Sequence, residues 1–356
     1  MELGWGWIGL VAMVLAGTVW GVAGAAPREP VPREVLTYYY GWWGTKAHSG
    51  VNVHWNHDEP GRTDSAVLHE PAAGRYDSHD AAAVTRQLTQ MQHAGITGVI
   101  SSWWGRGRFD DESLALLTDL APAHHLKVTA YYETVPDAVL NASQAAKVDA
   151  VVRDLSYLAD TYGRRSSWLR VDGRPVIFVY KRALGQIGIE GWWLIAQQMK
   201  LRGDAPVLIA DANLDEPTAP IASAFSGVGP YIHADKTWDK SPDELRAWAT
   251  ATFRQWRERW SSRIVALTIM PGFGDDRPAT RDPKVTARAG GRTYQALADA
   301  ALAANPDWLL ITTWNEWHEG SEIEPSVEHG DLALRQTRSI AAKFRAMPPR
   351  TIAIAR

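Results

Sequence analysis

Glu316 and Glu319 stand three residues apart in Trp314-Asn315-Glu316-Trp317-His318-Glu319-Gly320, directly after the apolar run 308–313. That run has the length and composition of a buried strand. Two carboxyl groups in a turn at the end of a strand are suited to cleaving a glycosidic bond. One stays neutral against an apolar wall and protonates the leaving oxygen, while its partner works ionised. The flanking tryptophans fit the same chemistry, because indole faces stack on the C–H faces of pyranose rings. Trp317 and Asn315 are therefore candidate sugar contacts, and Glu316 and Glu319 the candidate catalytic pair. The plain alternative is a solvated charge pair favoured by the dipole at the start of a last helix. It leaves the tryptophans and His318 unexplained. His318 reads either as a base or as a packing residue, and Glu322 and Glu324 read as capping or rim residues.

Other residues point the same way. In His54-Trp55-Asn56-His57 the two histidines suggest a metal, yet Asp58 and Glu59 complete no recognisable ligand spacing. Hydrogen-bonding groups around a Trp platform form a sugar subsite instead, and neither metal nor cofactor is expected. Glu133 follows Tyr131-Tyr132, where its carboxylate could hold sugar hydroxyls or close an internal salt bridge. Trp103 and Trp104 face opposite ways if they continue a strand, so only one can meet a ligand. Tyr40, Trp42, Tyr180 and Tyr231 fall at or just beyond expected strand ends and join the candidate contacts. Asp275, in the loop 271–277, could touch ligand or calcium, or belong to a rigid turn. No phosphate-cradling glycine loop, G-x-S-x-G elbow or H-E-x-x-H pair occurs, which argues against nucleotide enzymes, serine esterases and zincins.

A scaffold must bring these residues together. Strand-like runs at 35–40, 96–103, 127–133, 175–180, 206–211, 225–231, 264–270 and 308–314 alternate with amphipathic segments. The latter are 80–93, 111–121, 145–162, 190–201, 241–259 and 291–304, and 332–347 follows as a closing helix. This alternation predicts a single (β/α)8 barrel, α/β in class, over residues 34–356. A doubly wound open sheet is the alternative architecture. In a barrel the C-terminal strand ends converge on one mouth, and the aromatic and acidic residues fall at those ends.

Composition limits the rest. With 37 basic and 40 acidic residues and no basic block, nucleic acid is not an expected partner. Eighteen tryptophans against six phenylalanines suggest aromatic surfaces kept for a ligand, with about half of the tryptophans serving only as core. The absence of cysteine removes disulfides, thiolate metal sites and a Cys nucleophile. Residues 4–26 are uncharged and apolar, and Ala23-Gly24-Ala25 offers a cleavage site. The segment 1–26 reads as a signal peptide or, given its length and the lack of a basic start, as a retained anchor. Residues 27–33 read as a linker, so the domain is expected outside the cytoplasm, touching a membrane only through the anchor. A monomer acting on an oligo- or polysaccharide is expected.

Together, residues 38–44, 54–57, 101–105 and 315–325 resemble glycoside hydrolase family 99, as does the loop 271–277 with Arg292 and Tyr294 after it. The likeness spans most of residues 34–345, and Asn315-Glu316-Trp317-His318-Glu319-Gly320 is its most specific element. The resemblance implies a (β/α)8 barrel, no metal, and retaining endo-action on α-mannosides. It also implies a substrate-assisted route. Glu316 would act as base on the sugar's own 2-hydroxyl, giving a 1,2-anhydro sugar, and Glu319 would protonate the leaving oxygen and later activate water. Two departures bear on specificity. The third strand runs Tyr131-Tyr132-Glu133-Thr134-Val135 without the family's His-containing continuation, and Ser321-Glu322 stands where Thr-Gln is common. A carbohydrate-binding domain without turnover and a transglycosylase or polysaccharide-processing factor are the rival readings.

Overall fold

The computed structural model describes residue 1 and residues 30–55, 67–203, 205–213, 218–274 and 284–350. Residues 2–29, which include most of the segment expected as signal peptide or anchor, and Asn56, His57 and Asp275 lie outside the described residues. No described helix is long and apolar enough to cross a membrane.

Eight parallel strands form a closed barrel: β1 (Glu34–Tyr39), β2 (Gly98–Trp103), β3 (Lys127–Tyr132), β4 (Arg174–Val179), β5 (Val207–Ala210), β6 (Gly227–Val228), β7 (Ile264–Ile269) and β8 (Trp308–Ile311). The order runs β3-β2-β1-β8-β7-β6-β5-β4, and pairing of Ala130 with Ile177 joins β3 to β4 and closes the ring. The outer helices are α1 (Ala81–His93), α2 (Phe109–Leu120), α3 (Gln144–Thr161), α4 (Lys181–Leu201), α5 (Thr218–Ala224), α6 (Pro242–Arg259), α7 (Arg292–Ala304) and α8 (Leu332–Arg345). This is the expected (β/α)8 barrel, and the open-sheet alternative falls away.

Alternation along the strands divides the core in two. Leu36, Tyr38, Ile100, Tyr131, Phe178, Ile209, Ala266 and Leu310 point inward and fill the barrel. Val35, Val99, Val128, Ile177, Leu208, Val265 and Leu309 point outward under the helices. Local signals start several helices where expected. The Ser143 hydroxyl caps α3, Asp80 caps α1, and Ser241 with Glu244 forms a reciprocal capping box on α6. Val31 and Pro32, expected as linker, are held at the barrel base, where Val31 N–H donates to Arg350 O (3.0 Å) and Trp308 Nε1 to Pro32 O (3.1 Å).

Three elements differ from expectation for physical reasons. β6 is two residues long instead of spanning 225–231, and it passes so close to its neighbours that only glycine fits at 227. A Cβ on Gly227 would lie 2.6 Å from Ile209 Cδ1 and 2.7 Å from Ile264 Cβ on the neighbouring strands. α4 begins at Lys181, not near 190; it kinks at Gly188 (φ +70°), and that kink masked the helical period. β8 ends at Ile311, and Thr313 N–H donates to Ser321 O (2.8 Å) instead of extending the strand to 314. The chain therefore leaves the ladder early and doubles back over the barrel mouth.

Candidate active site

That doubling-back is a bundle of turns with no helix between residues 312 and 331, so the acidic pair does not cap a helix. The Thr313 hydroxyl accepts Glu316 N–H (2.8 Å), and Glu319 N–H reaches Glu316 O (3.3 Å). The Glu316 side chain is 4 % exposed. Its Oε1 lies 2.7 Å from His318 Nδ1 and accepts His318 N–H (3.1 Å), while the imidazole stacks on Trp43 at 4.8 Å between centroids. Trp43 and Glu316 thus hold His318 between them, the arrangement of a positioning residue. On the other side, Tyr231 at the end of β6 donates its phenol to Glu319 Oε2 (3.0 Å). Gly274 N–H binds Glu319 O (2.8 Å), fixing the same residue's backbone.

A third carboxyl joins them. Glu133, just past β3, is 3 % exposed and accepts the Ser102 hydroxyl at 2.7 Å. Burial pushes its carboxyl up to about 8, helped by the nearby charges of Glu316 and Asp110 and opposed by Ser102 and Arg182. Tyr40 sits among all three. Its phenol is raised well above its ordinary value by burial first, then by Glu133, Glu316 and Glu319. The barrel mouth therefore gathers three acids around tyrosines, with Glu133 neutral at pH 7. The internal salt bridge considered for Glu133 is replaced by the Ser102 hydrogen bond.

This predicts a pH effect on stability. The folded-state value of Glu133 is raised, so its contribution is full below about 4.5 and is lost as pH rises through about 8. Glu133→Gln mimics the protonated form. Its melting temperature should fall less between pH 5 and pH 9 than that of the wild type. Parallel losses in the two proteins would show that Glu133 is ionised in the folded state.

The aromatic wall is built from Trp42, Trp104, Tyr180 and His54. Trp42 stacks on His54 at 4.3 Å, tilts over Tyr40 at 4.5 Å and lies 6.1 Å from Trp104. Burial, then the neighbouring His318, lowers His54 to about 4, so it is a neutral hydrogen-bonding ring at pH 7. Trp104 is only partly buried. Asp110 accepts its N–H (2.6 Å), the Ser102 hydroxyl accepts its Nε1 (3.0 Å), and the Arg182 guanidinium lies over both its ring (4.8 Å) and that of Tyr180 (5.2 Å).

Four expected contacts are corrected. Trp103 points outward, 1 % exposed, and its Nε1 donates to Asp111 (2.8 Å) under the helices. Ligand-facing alternation falls to Ser102 and Trp104 instead. Trp55 is buried behind Trp43 with Nε1 on Tyr76 O (2.7 Å), and Trp317 is buried with Nε1 on the Tyr76 phenol (3.2 Å). Asn315 is fully buried; its Oδ1 accepts Tyr40 N–H (2.8 Å) and its Nδ2 donates to Tyr40 O (2.9 Å), tying the β8 turn to the end of β1. All four are packed in the interior, because aromatic and amide groups are as useful in packing as in binding. Glu322 and Glu324 are likewise interior, at 1 % and 4 % exposure, not rim residues. Glu324 accepts Tyr76 OH (2.8 Å) and Gln87 Nε2 (3.0 Å). Sequence reasoning passed over Ser102, Asp110 and Arg182. Only Ser102 carried a signal, its strand phase opposite to Trp103.

Comparison with known proteins decides the family. Residues 30–335 match Glycosyl hydrolase family 99. The chain belongs to this family. Relatives include the mouse glycoprotein endo-alpha-1,2-mannosidase-like protein, 25 % identical over 85 % of this chain and 73 % of its own length. Mouse glycoprotein endo-alpha-1,2-mannosidase is 22 % identical, covering 82 % of this chain and 67 % of the relative. The family 99 endo-alpha-mannosidase of Bacteroides thetaiotaomicron superposes with a TM-score of 0.72 at 24 % identity, over 88 % of this chain and 97 % of that one. Membership of family 99 makes the protein a glycoside hydrolase.

Proposed function

We propose that this chain is a retaining endo-glycosidase of α-linked, mannose-containing oligo- or polysaccharides, with Glu316 and Glu319 as its catalytic pair. The observation that carries this reading is the placement of both carboxyls on one turn at the barrel mouth, each held by its own partner, His318 and Tyr231. Relatives named as endo-alpha-mannosidases supply the substrate class.

The proposed route has two displacements at one carbon. Ionised Glu316 takes the proton of the sugar's 2-hydroxyl, and that oxygen attacks the anomeric carbon. The glycosidic C–O bond breaks as Glu319 gives its proton to the leaving oxygen, leaving a 1,2-anhydro sugar. Glu319, now ionised, takes a proton from water. The resulting hydroxide opens the three-membered ring at the anomeric carbon, and Glu316 returns the first proton to the 2-oxygen. Two inversions give net retention. Neutral Glu133 would keep the charge of the pocket low and offer a hydroxyl donor to substrate oxygens.

Reducing-end release from a panel of α-mannans and α-linked oligosaccharides tests the reading, with Glu316→Gln alongside. Release that vanishes in the variant, with the α-anomer as first product by NMR, supports it. Binding of the panel without release by the wild type would favour a non-catalytic module instead. Trp42 and Trp104 offer the partly exposed indole faces at this mouth. Trp104→Ala is expected to raise KM by up to ~10-fold, the scale of one aromatic contact, with a smaller change in kcat. An unchanged KM would remove Trp104 from the substrate wall.

We also propose that the domain works outside the cytoplasm, on the strength of the uncharged run 4–26 and the site at Ala23-Gly24-Ala25. Intact mass of the protein from its native host distinguishes removal of that segment from its retention in a membrane fraction. A soluble cytoplasmic protein with the segment intact would refute the proposal.

A further inference from the structure

Beside the catalytic turn, packed against Gly320, two imidazoles face each other. His69 Nε2 and His329 Nε2 are 3.3 Å apart, with ring centroids 4.5 Å apart and planes at 89°. The geometry points to a divalent transition-metal site in which these two nitrogens are the protein ligands and Glu322 is the carboxylate that orients His69. This is independent of the glycosidase reading.

Three observations support it. First, two nitrogens bound to one tetrahedral zinc at about 2.0–2.1 Å must lie about 3.3 Å apart, the separation already present. Second, His69 Nδ1 is 2.9 Å from Glu322 Oε1. A metal-binding histidine characteristically donates its other N–H to a carboxylate, which leaves the Nε2 lone pair aimed at the ion. Third, the Glu322 side chain is fully buried, Arg288 also donates to its Oε1, and its Oε2 has no hydrogen-bond partner. A positive charge beyond His69 compensates that oxygen better than a neutral imidazole pair does. A cavity of about 440 Å³, lined by His69, Arg288, Gly320 and His329, gives water access to the remaining coordination positions. Paired imidazoles select zinc, copper, nickel or cobalt over magnesium and calcium.

The ion would clamp two segments that carry the catalytic turn. Leu68 N–H binds Trp317 O (2.8 Å), and Val327 N–H binds Glu70 O (2.9 Å). Bridging His69 to His329 would tie these segments together beside the turn that carries Glu316 and Glu319.

The test titrates tag-free, chelator-treated full-length protein with Zn²⁺ against a chromophoric chelator, and with Co²⁺ followed by its visible absorbance. One saturable equivalent is expected, with a tetrahedral Co²⁺ band and a higher melting temperature. His329→Ala and His69→Ala should each abolish the equivalent, and His329→Ala should keep the metal-free melting temperature. Glu322→Gln should weaken binding about 10–100-fold, the usual effect of losing the outer carboxylate. The absence of saturable binding in the wild type would overturn the proposal, because the pair would then be only a hydrogen bond. Undiminished binding in both histidine variants would overturn it too, assigning the ion to other histidines.

Discussion

Glu319→Gln and Glu316→Gln are each expected to lower turnover at least ~10²-fold, the lower range for positioned acid and base groups. Glutamine keeps the size of each side chain and its ability to accept, so the contacts with Tyr231 and His318 survive in altered form. What is lost is proton transfer: an amide neither deprotonates a hydroxyl nor protonates a leaving oxygen. Melting temperatures should therefore stay near that of the wild type, and sugar binding should persist. A substrate with an activated leaving group separates the two roles. It should restore part of the first-step rate in Glu319→Gln, since that leaving group needs no proton, and none in Glu316→Gln. Wild-type turnover in either variant would refute the assignment of the pair.

Asn315→Ala is expected to damage both stability and activity. Its amide satisfies the N–H and C=O of Tyr40 in a fully buried position and donates to the Tyr76 phenol (3.0 Å). Truncation strands two backbone groups away from water at about 1–3 kcal/mol each, so a total of ~3 kcal/mol is expected. At about 2–4 °C per kcal/mol, the melting temperature should fall by roughly 6–12 °C. Turnover should fall as well, because Asn315 precedes Glu316 and fixes the turn against β1. Differential scanning calorimetry beside the release assay checks both. An unchanged melting temperature would mean that water or a neighbour replaces the amide, and Asn315 would lose its place as the tie between turn and barrel.

Much of this protein was legible in one dimension. Strand runs alternating with helical periods specify a parallel α/β fold because each parallel strand needs a crossover to return, and the pairing of Ala130 with Ile177 decides for the closed barrel over the open sheet. The acidic turn was legible because two carboxyls among tryptophans, after a buried strand, have few other uses. Ser143, Asp80 and Ser241 cap their helices through chemistry confined to one turn of chain. Short-range physics sufficed for all of these.

The division of labour among the aromatic residues was not legible. Trp42 and Trp43 are neighbours in sequence, yet one stays partly exposed over Tyr40 and the other is buried against His318. Ten of the described tryptophans are buried, so most of the excess indole packs the protein instead of meeting a ligand. Glu133 and Asp211 both end strands after apolar runs. Only closure of the barrel sets the first beside Glu316 and gives the second to Tyr131 OH (2.8 Å) and Tyr231 N–H (2.7 Å). His69 and His329 are separated by most of the chain and meet only because the segments on either side of the catalytic turn fold against each other. Side-chain type and local period fix what a residue can do and which face it occupies. Its neighbours across the barrel, and hence its protonation and its role, depend on the long-range closure that brings the strand ends together.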